Sequence, residues 1–493
     1  MTLNLIRDPW IPVATASGPR TIRPDQIAEA DVLFPAWPRA DLNIACLELL
    51  IGLVALADPP ASREDWRARR VPDPERLRDR LAPFAEAFEL GGEGPRFLQD
   101  LEPLPGEPAS PDMLFIDSAG ENAAKKNADL MVWRDRYPAL APALAAMALY
   151  TLQAHAPSGG AGNRTSMRGG GPLVTLVEPR ADCTLWDLVW ANVPFGGPQG
   201  AKALPWMRPT RVSDKGQQVH ETPDTAIEAF FGMPRRLRLV FGNGLVTGVI
   251  QRPWGTNYGL WRHPLTPYYR MKPGEAPLPV HPRAGTFGYR NWLGVVAKAE
   301  KAELRERAAA LDEYDARALR ERDRLAARVI VAGWAMDNMK PLDFTLSVQP
   351  FVALPTDPAL MLAGLVEAAE QAALALRAAL EPVLAGGVAR EAAREAFYAD
   401  TERAFRDRFA ELAAEALPAE VAVRWRDDLR KQALARFDAL ALPGLDQQET
   451  DVIERIVAAR RRLVAAFSGH GKYGEAMFDK LELERPARKG KAA

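Results

Sequence analysis

The sequence predicts an α+β protein: a large, loop-rich mixed α/β body over residues 1–355, followed by a C-terminal four-helix bundle over 356–493. Two observations carry that prediction. Through the first part the hydrophobic pattern changes often, and proline and glycine recur. From about Pro358 the composition shifts abruptly to Ala, Leu, Arg and Glu, the texture of long helices. At 493 residues the chain exceeds one core, and a hydrophobic content of 47% allows well-buried ones.

Taken in order, residues 3–6 followed by 8–13 read as a short strand, a turn and a second strand, with proline within that run, Pro12 included, favouring an edge position. Apolar residues at helical spacing over 42–57 predict a buried helix. Its apolar run is interrupted by Glu48 and is too short to cross a bilayer, so no membrane association is expected. Residues 139–155 predict a helix with Pro142 in its first turn, where proline is tolerated. Residues 173–177 read as a strand, and 237–241 with 245–250 as a hairpin closed by Gly242, Asn243 and Gly244. A charged helix is expected over 298–327, a strand over 329–331 and an extended segment over 344–354. Four helices follow over 359–384, 389–417, 419–440 and 448–467, with short connections that favour antiparallel neighbours. The basic tail from Arg485 onward predicts no fixed structure.

Charged residues make up 26%, yet the net charge is -1. That balance argues against a protein that coats nucleic acid over its whole surface, and it leaves room for a local basic groove. Cys46 and Cys183 lie far apart and form no CxxC pair, which fits a reducing cytoplasm without a disulfide framework. The five histidines show no HxxxH or HExxH spacing, so neither a metal nor another cofactor is expected. The N-terminus has no basic stretch leading into an apolar core, so a cytoplasmic, soluble protein is expected.

Four segments could carry chemistry. The stretch SGGAGNRTSMRGGG over 158–171 combines Ser158, Gly159, Gly160, Ala161 and Gly162 with Arg164 and Arg168. Glycines let backbone approach a ligand, and exposed N–H groups with arginines suit phosphate or a nucleic-acid groove. No Gly-Lys-Ser/Thr follows, so it is no Walker loop, and on composition alone a plain surface loop is the better-favoured reading. A second stretch sets Lys125, Lys126, Asn127 and Arg134 beside Leu130 and Trp133, a mixture that suits backbone and base contacts but also an ordinary connection. A third, GWAMDNMK, places Asp337, Asn338, Met339 and Lys340 at a turn after a strand. Such a tip could wedge base pairs apart, though a plain hairpin tip is the commoner case. In the fourth, QRPWGTNYGLWRHP, Arg252 beside Pro253 stands out from aromatic residues of core type. No catalytic set emerges: Ser158 and His155 are near in sequence, but no GxSxG elbow supports a nucleophile.

In order and spacing these segments resemble the large subunit of the type I-E CRISPR surveillance complex, Cascade. The likeness runs through NLIRDPWIPV at 4–13, WPRADLNIACLELLIGL at 37–53, PRFLQD at 95–100, LYTLQAHAPSGGAGNRTSMRGGGPLVTLV at 149–177, NYGLWRHP at 257–264 and GWAMDNMK at 333–340. The resemblance implies a non-enzymatic subunit that reads the protospacer-adjacent motif (PAM) in target double-stranded DNA, begins strand separation for the CRISPR RNA and helps recruit a helicase–nuclease. It implies the backbone, small and 5′-end subunits of Cascade as partners. The family's glycine loop falls on residues 158–162, its minor-groove lysine on Arg252, and its wedge on the 337–340 turn. The family's loop to the guide RNA and neighbouring subunits falls on about Lys125 to Arg134. Two departures are plain: arginine replaces lysine at Arg252, changing donor geometry, and a cysteine cluster found in some relatives is missing. The competing readings are an enzyme holding a phosphate ligand in the glycine loop, and a purely structural scaffold.

Overall fold

The computed structural model describes residues 3–118, 120, 125–127, 132–134, 136–160, 162–299, 303–317 and 321–485. The chain divides into two compact units, Met1–Thr286 with Glu306–Phe351, and Phe287–Arg305 with Val352–Ala493. Residues 287–305, expected in the N-terminal body, thus belong to the helical second unit. Sequence distance hid this, because Tyr289 stacks on Phe405 at 4.2 Å and its hydroxyl meets Thr401 Oγ1 at 2.8 Å.

The first unit opens with a three-stranded sheet of β1 (Ile11–Thr15), β2 (Gly18–Ile22) and β3 (Val32–Pro35), in the order β2-β1-β3. The strand containing Pro12 is therefore central, not the edge strand expected. The paired register to β3 begins only at Val13, so proline stands at the end of that ladder, where its carbonyl still accepts from Ala36 N–H at 2.8 Å and only the return bond is forgone. No strand forms over 3–6. The Asn4 side chain accepts from the backbone N–H groups of Ile6 and Arg7 at 3.0 and 2.9 Å, an Asx-type turn that competes with extension.

Helix α1 (Ala40–Ala57) is the spine of this unit, with Asp41, Leu42 and all of 44–57 buried. It is longer than the apolar run suggested. Among the described residues it is, with Thr356–Ala379, one of two helices long and apolar enough to cross a membrane by length and composition, but 89% of it is buried inside the fold, as in a core helix. Helix α2 (Pro142–His155) starts with proline at its first position, as expected, and is buried from Ala145 to Gln153. Strand β4 (Val174–Glu178) joins a long hairpin, β7 (Arg328–Asp337) and β8 (Lys340–Pro350), in the order β8-β7-β4. A separate hairpin of β5 (Arg236–Gly242) and β6 (Leu245–Arg252) is closed by Asn243 and Gly244, with φ of 53° and 78°. Both positive φ values fit the tight primed turn that an Asn-Gly pair favours.

The charged helix expected over 298–327 does not form as one piece: the described residues there hold two short helices, Ala309–Arg317 and Glu321–Ala326. Its charges are not all solvated. Arg317 is buried over the Phe195 ring at 3.9 Å, and Arg307 is buried over Phe351 at 6.0 Å.

The second unit is helical. The four predicted helices occur as α3 (Thr356–Ala379), α4 (Gly387–Ala413), α5 (Pro418–Ala441) and α6 (Thr450–Ala466). Trp425 of α5 is fully buried and its indole N–H donates to the Leu365 carbonyl of α3 at 2.8 Å. A fifth helix, α7 (Gly471–Lys480), was not expected. Gly471 and Gly474 lower its intrinsic propensity, but burial of Met477 and Phe478 outweighs that.

Candidate nucleic-acid interface

Three of the four predicted segments meet in the first unit. The glycine-rich stretch leaves the end of α2 and folds back on itself: Asn163 N–H donates to the Gly160 carbonyl at 2.7 Å, and Ser166 N–H to the Ala156 carbonyl at 2.9 Å. Ser158, Gly159 and Gly160 are exposed at its crest. Ala161 lies outside the described residues.

One flank of this loop rests on the segment after β6. Trp254 N–H donates to the Gly162 carbonyl at 2.9 Å. Gly162 has φ 83°, and a Cβ there would sit 2.8 Å from the Trp254 indole, so the close approach requires glycine. Arg164 lies over that indole, 5.1 Å from the ring centroid, and donates to Ser213 Oγ at 2.9 Å and to the Ser213 carbonyl at 2.8 Å. Its guanidinium thus braces the loop. Arg252 lies two residues before Trp254, half-buried against Gly106, and its Nε has no hydrogen-bond partner.

The other flank touches the β7–β8 tip. Asn338 and Met339 have φ of 47° and 63°, so the tip is a two-residue turn of the same kind as Asn243-Gly244. Asp337, Asn338, Met339 and Lys340 are all exposed. A Cβ at Gly170 would lie 3.2 Å from the Met339 sulfur and 3.1 Å from that of Met336, so both methionines pack against the loop.

The fourth segment is tied down elsewhere. Lys125, Lys126 and Asn127 are exposed, Trp133 is 84% exposed, and Arg134 donates to Asn127 Oδ1 at 3.0 Å. Leu130 lies outside the described residues. Arg136 anchors the segment through Asp117 at 2.8 Å, a carboxylate shared with Arg39 at 3.1 Å, and Tyr137 stacks on Phe115 at 4.2 Å. Among the described residues no group of His, Cys, Asp or Glu is placed to hold a metal ion. Burial pushes the Cys46 thiol up to about 12.

Residues 4–435 match the family model of CRISPR-associated protein Cse1. The chain belongs to the Cse1 family. Its fold is similar to Thermus thermophilus CasA (Cse1), with a TM-score of 0.73 at 19% identity over 94% of this chain and 98% of that one. Thermobifida fusca Cse1 gives a TM-score of 0.72 at 18% identity, over 97% and 98%. A chain of a CRISPR RNA-guided surveillance complex gives 0.71 at 18%, over 94% and 99%.

In this Cse1-family chain the loop also has a buried root that sequence reading missed. Arg168, expected to be available for phosphate, is buried and donates to Glu48 Oε2 on α1 at 2.7 Å. His155 Nε2 meets Glu48 Oε1 at 2.9 Å, and His263 Nε2 lies 3.6 Å from Oε2. The only sequence signal was Glu48 itself, the one charge within the apolar run 42–57. Burial would raise its carboxyl, but the Arg168 guanidinium and then His155 outweigh it and hold it well below the usual carboxylate range. Burial first, then Arg168, push the His263 ring well below its ordinary value.

A pH dependence follows. His263 stays neutral in the folded chain, while unfolded His263 takes up a proton as pH falls through about 6.5. Stability of the first unit should therefore decline below about pH 6.5. The depressed Glu48 contributes stability that is present above its unfolded value of about 4.3 and is lost as pH falls toward the folded value. Thermal melting from pH 8 to 5 should fall on the acid side, and His263→Gln should flatten that fall; an unchanged profile in the variant would exclude His263 as its source.

Proposed function

We propose that this chain is the PAM-reading subunit of an RNA-guided surveillance complex. It captures target duplex through the glycine loop and Arg252, and it starts strand opening with the 337–340 turn. What supports this reading is one observation above all: the loop 158–171 packs on Trp254 through Gly162 and on Met339 through Gly170, so three segments far apart in sequence share one surface. A short crest of small residues admits a phosphate backbone closely, and the guanidinium of Arg252, two residues before the Trp254 that seats the loop, suits the minor groove. Minor-groove edges distinguish A·T from G·C only coarsely, so such a reader would tolerate several PAMs and leave sequence to guide pairing.

In this reading the chain is cytoplasmic and non-catalytic, and residues 125–134 reach the guide RNA end or neighbouring subunits, with exposed Trp133 as the contact. The helical second unit, read as a bundle, serves as a docking platform, and the assembled complex recruits a helicase–nuclease.

Arg252→Ala tests the reading. In the assembled complex, affinity for a PAM-bearing duplex should fall about 10-fold or more, with little change for a duplex without PAM. Unaltered discrimination between the two duplexes, measured by mobility shift, would remove Arg252 from the interface.

A further inference from the structure

The register of the β5–β6 hairpin places charge and core on opposite faces. Leu237, Leu239, Val246 and Val249 are almost fully buried on one face. Arg236 lies directly opposite Arg252 in the ladder, and Arg238 is two residues further along β5, so all three share the other face. Like charges directly opposite one another across a ladder are destabilising.

Few carboxylates relieve them. Arg236 Nε donates to Asp100 Oδ2 at 2.6 Å, and Arg238 Nη1 donates to the Asp100 carbonyl at 2.9 Å. The exposed Glu102 adds a weaker attraction for Arg238. Arg96 lies four residues before Asp100, whose N–H donates to the Leu237 carbonyl of β5 at 3.0 Å, and it feels the charge of Arg238; it has no carboxylate partner among the described residues, and its Nη2 donates to the Gly92 carbonyl. The Nε atoms of Arg96 and Arg252 are both buried without a partner. Burial, then the charge of Arg238, holds the Arg96 guanidinium below its ordinary value.

We propose that Arg96, Arg236 and Arg238 form a phosphate-binding stripe, ending at Arg252, that grips the sugar–phosphate backbone of duplex DNA alongside the site of PAM reading. The inference rests on the function proposed above. Its geometry favours a polyanion over a single small anion: neighbours stand about 5 Å apart across the ladder and about 7 Å apart along the strand, a row rather than a pocket. The Arg252 end of the row comes close to the glycine loop in the chain, since two residues on the Trp254 N–H donates to the Gly162 carbonyl at 2.9 Å. Backbone contacts of this kind position a duplex without reading its bases. The stripe therefore supplies capture, and Arg252 at its end supplies discrimination.

The test is R96Q/R238Q in the assembled, guide-loaded complex, with binding to PAM and non-PAM duplexes followed across a salt titration. Both affinities should fall in parallel, about 10-fold at physiological salt, with PAM preference retained. The slope of log affinity against log salt should shrink by about 0.9 for each phosphate that the variant no longer neutralises. R96K/R238K, which keeps the charges, should restore most of the slope and guards against a folding defect. Three results would overturn the stripe: an unchanged slope, a loss confined to the PAM duplex, or defective guide RNA loading with normal DNA binding by the complexes that do form. If the wild-type complex itself shows no PAM preference, the PAM-reading function fails, while the salt slopes still decide the stripe.

Discussion

Glu48→Ala is expected to destabilise the N-terminal unit by about 3–5 kcal/mol, the usual cost of leaving one member of a buried ion pair without its partner. The carboxylate is completely buried and accepts from Arg168 at 2.7 Å, with His155 at 2.9 Å on its other oxygen. Removing it leaves the Arg168 guanidinium among Thr266, His263 and the Ala154 carbonyl, with no counter-charge in contact. Because Arg168 belongs to the glycine-rich stretch, the damage should reach the exposed crest, and DNA capture should weaken along with stability. Arg168→Met should be similarly costly. The double variant should lose clearly less than the sum of the two, because neither charge is then stranded. Urea unfolding of the three variants checks this, and strictly additive losses would show that the pair is not the unit of stabilisation.

This network also marks where sequence reading stopped. Helices with a regular apolar period, such as Ala40–Ala57 and Pro418–Ala441, were legible because local spacing specifies them. The Asn243-Gly244 hairpin was legible because its turn chemistry is local. What failed depended on distant partners. Pro12 reads as an edge residue until the short reach of β3 is known. The segment 287–305 reads as part of the first body until Tyr289 is seen against Phe405. Arg168 reads as a free cation until Glu48, 120 residues away, is placed beside it.

The candidate site divides in the same way. Composition pointed to the glycine loop, the Asp337–Lys340 turn and Arg252 one by one, and each alone was more ordinary than functional. Their convergence could not be read from the chain, because it depends on Trp254 seating Gly162 and on Met336 and Met339 packing against Gly170. The arginines on β5 were invisible for another reason: alternation along one strand reads only as a half-solvated face. The cross-strand register is needed to bring Arg252 opposite Arg236.

Replacing both Asn338 and Met339 by glycine is expected to separate capture from opening. Both residues adopt positive φ, so a Gly-Gly pair fits the same turn and the β7–β8 hairpin should persist. What is lost is side chain: an exposed amide bonded to Asp337 Oδ1 at 3.2 Å, and a methionine that is 46% exposed at the tip. A wedge works by compensating the cost of unstacking a base step, a few kcal/mol. If these two side chains supply about 2–3 kcal/mol of it, the opening rate should fall about 30- to 150-fold. Initial capture of the PAM duplex, which the proposed function assigns to Arg252 and the loop crest, should stay within about threefold of wild type. Stopped-flow fluorescence of a base analogue beside the PAM reads opening, and mobility shift at short times reads capture. Normal opening kinetics in the Gly-Gly variant would take the wedge role away from this turn. An equal loss of capture and opening would instead mean that Met339 serves chiefly to hold the glycine loop, the other role its packing against Gly170 allows.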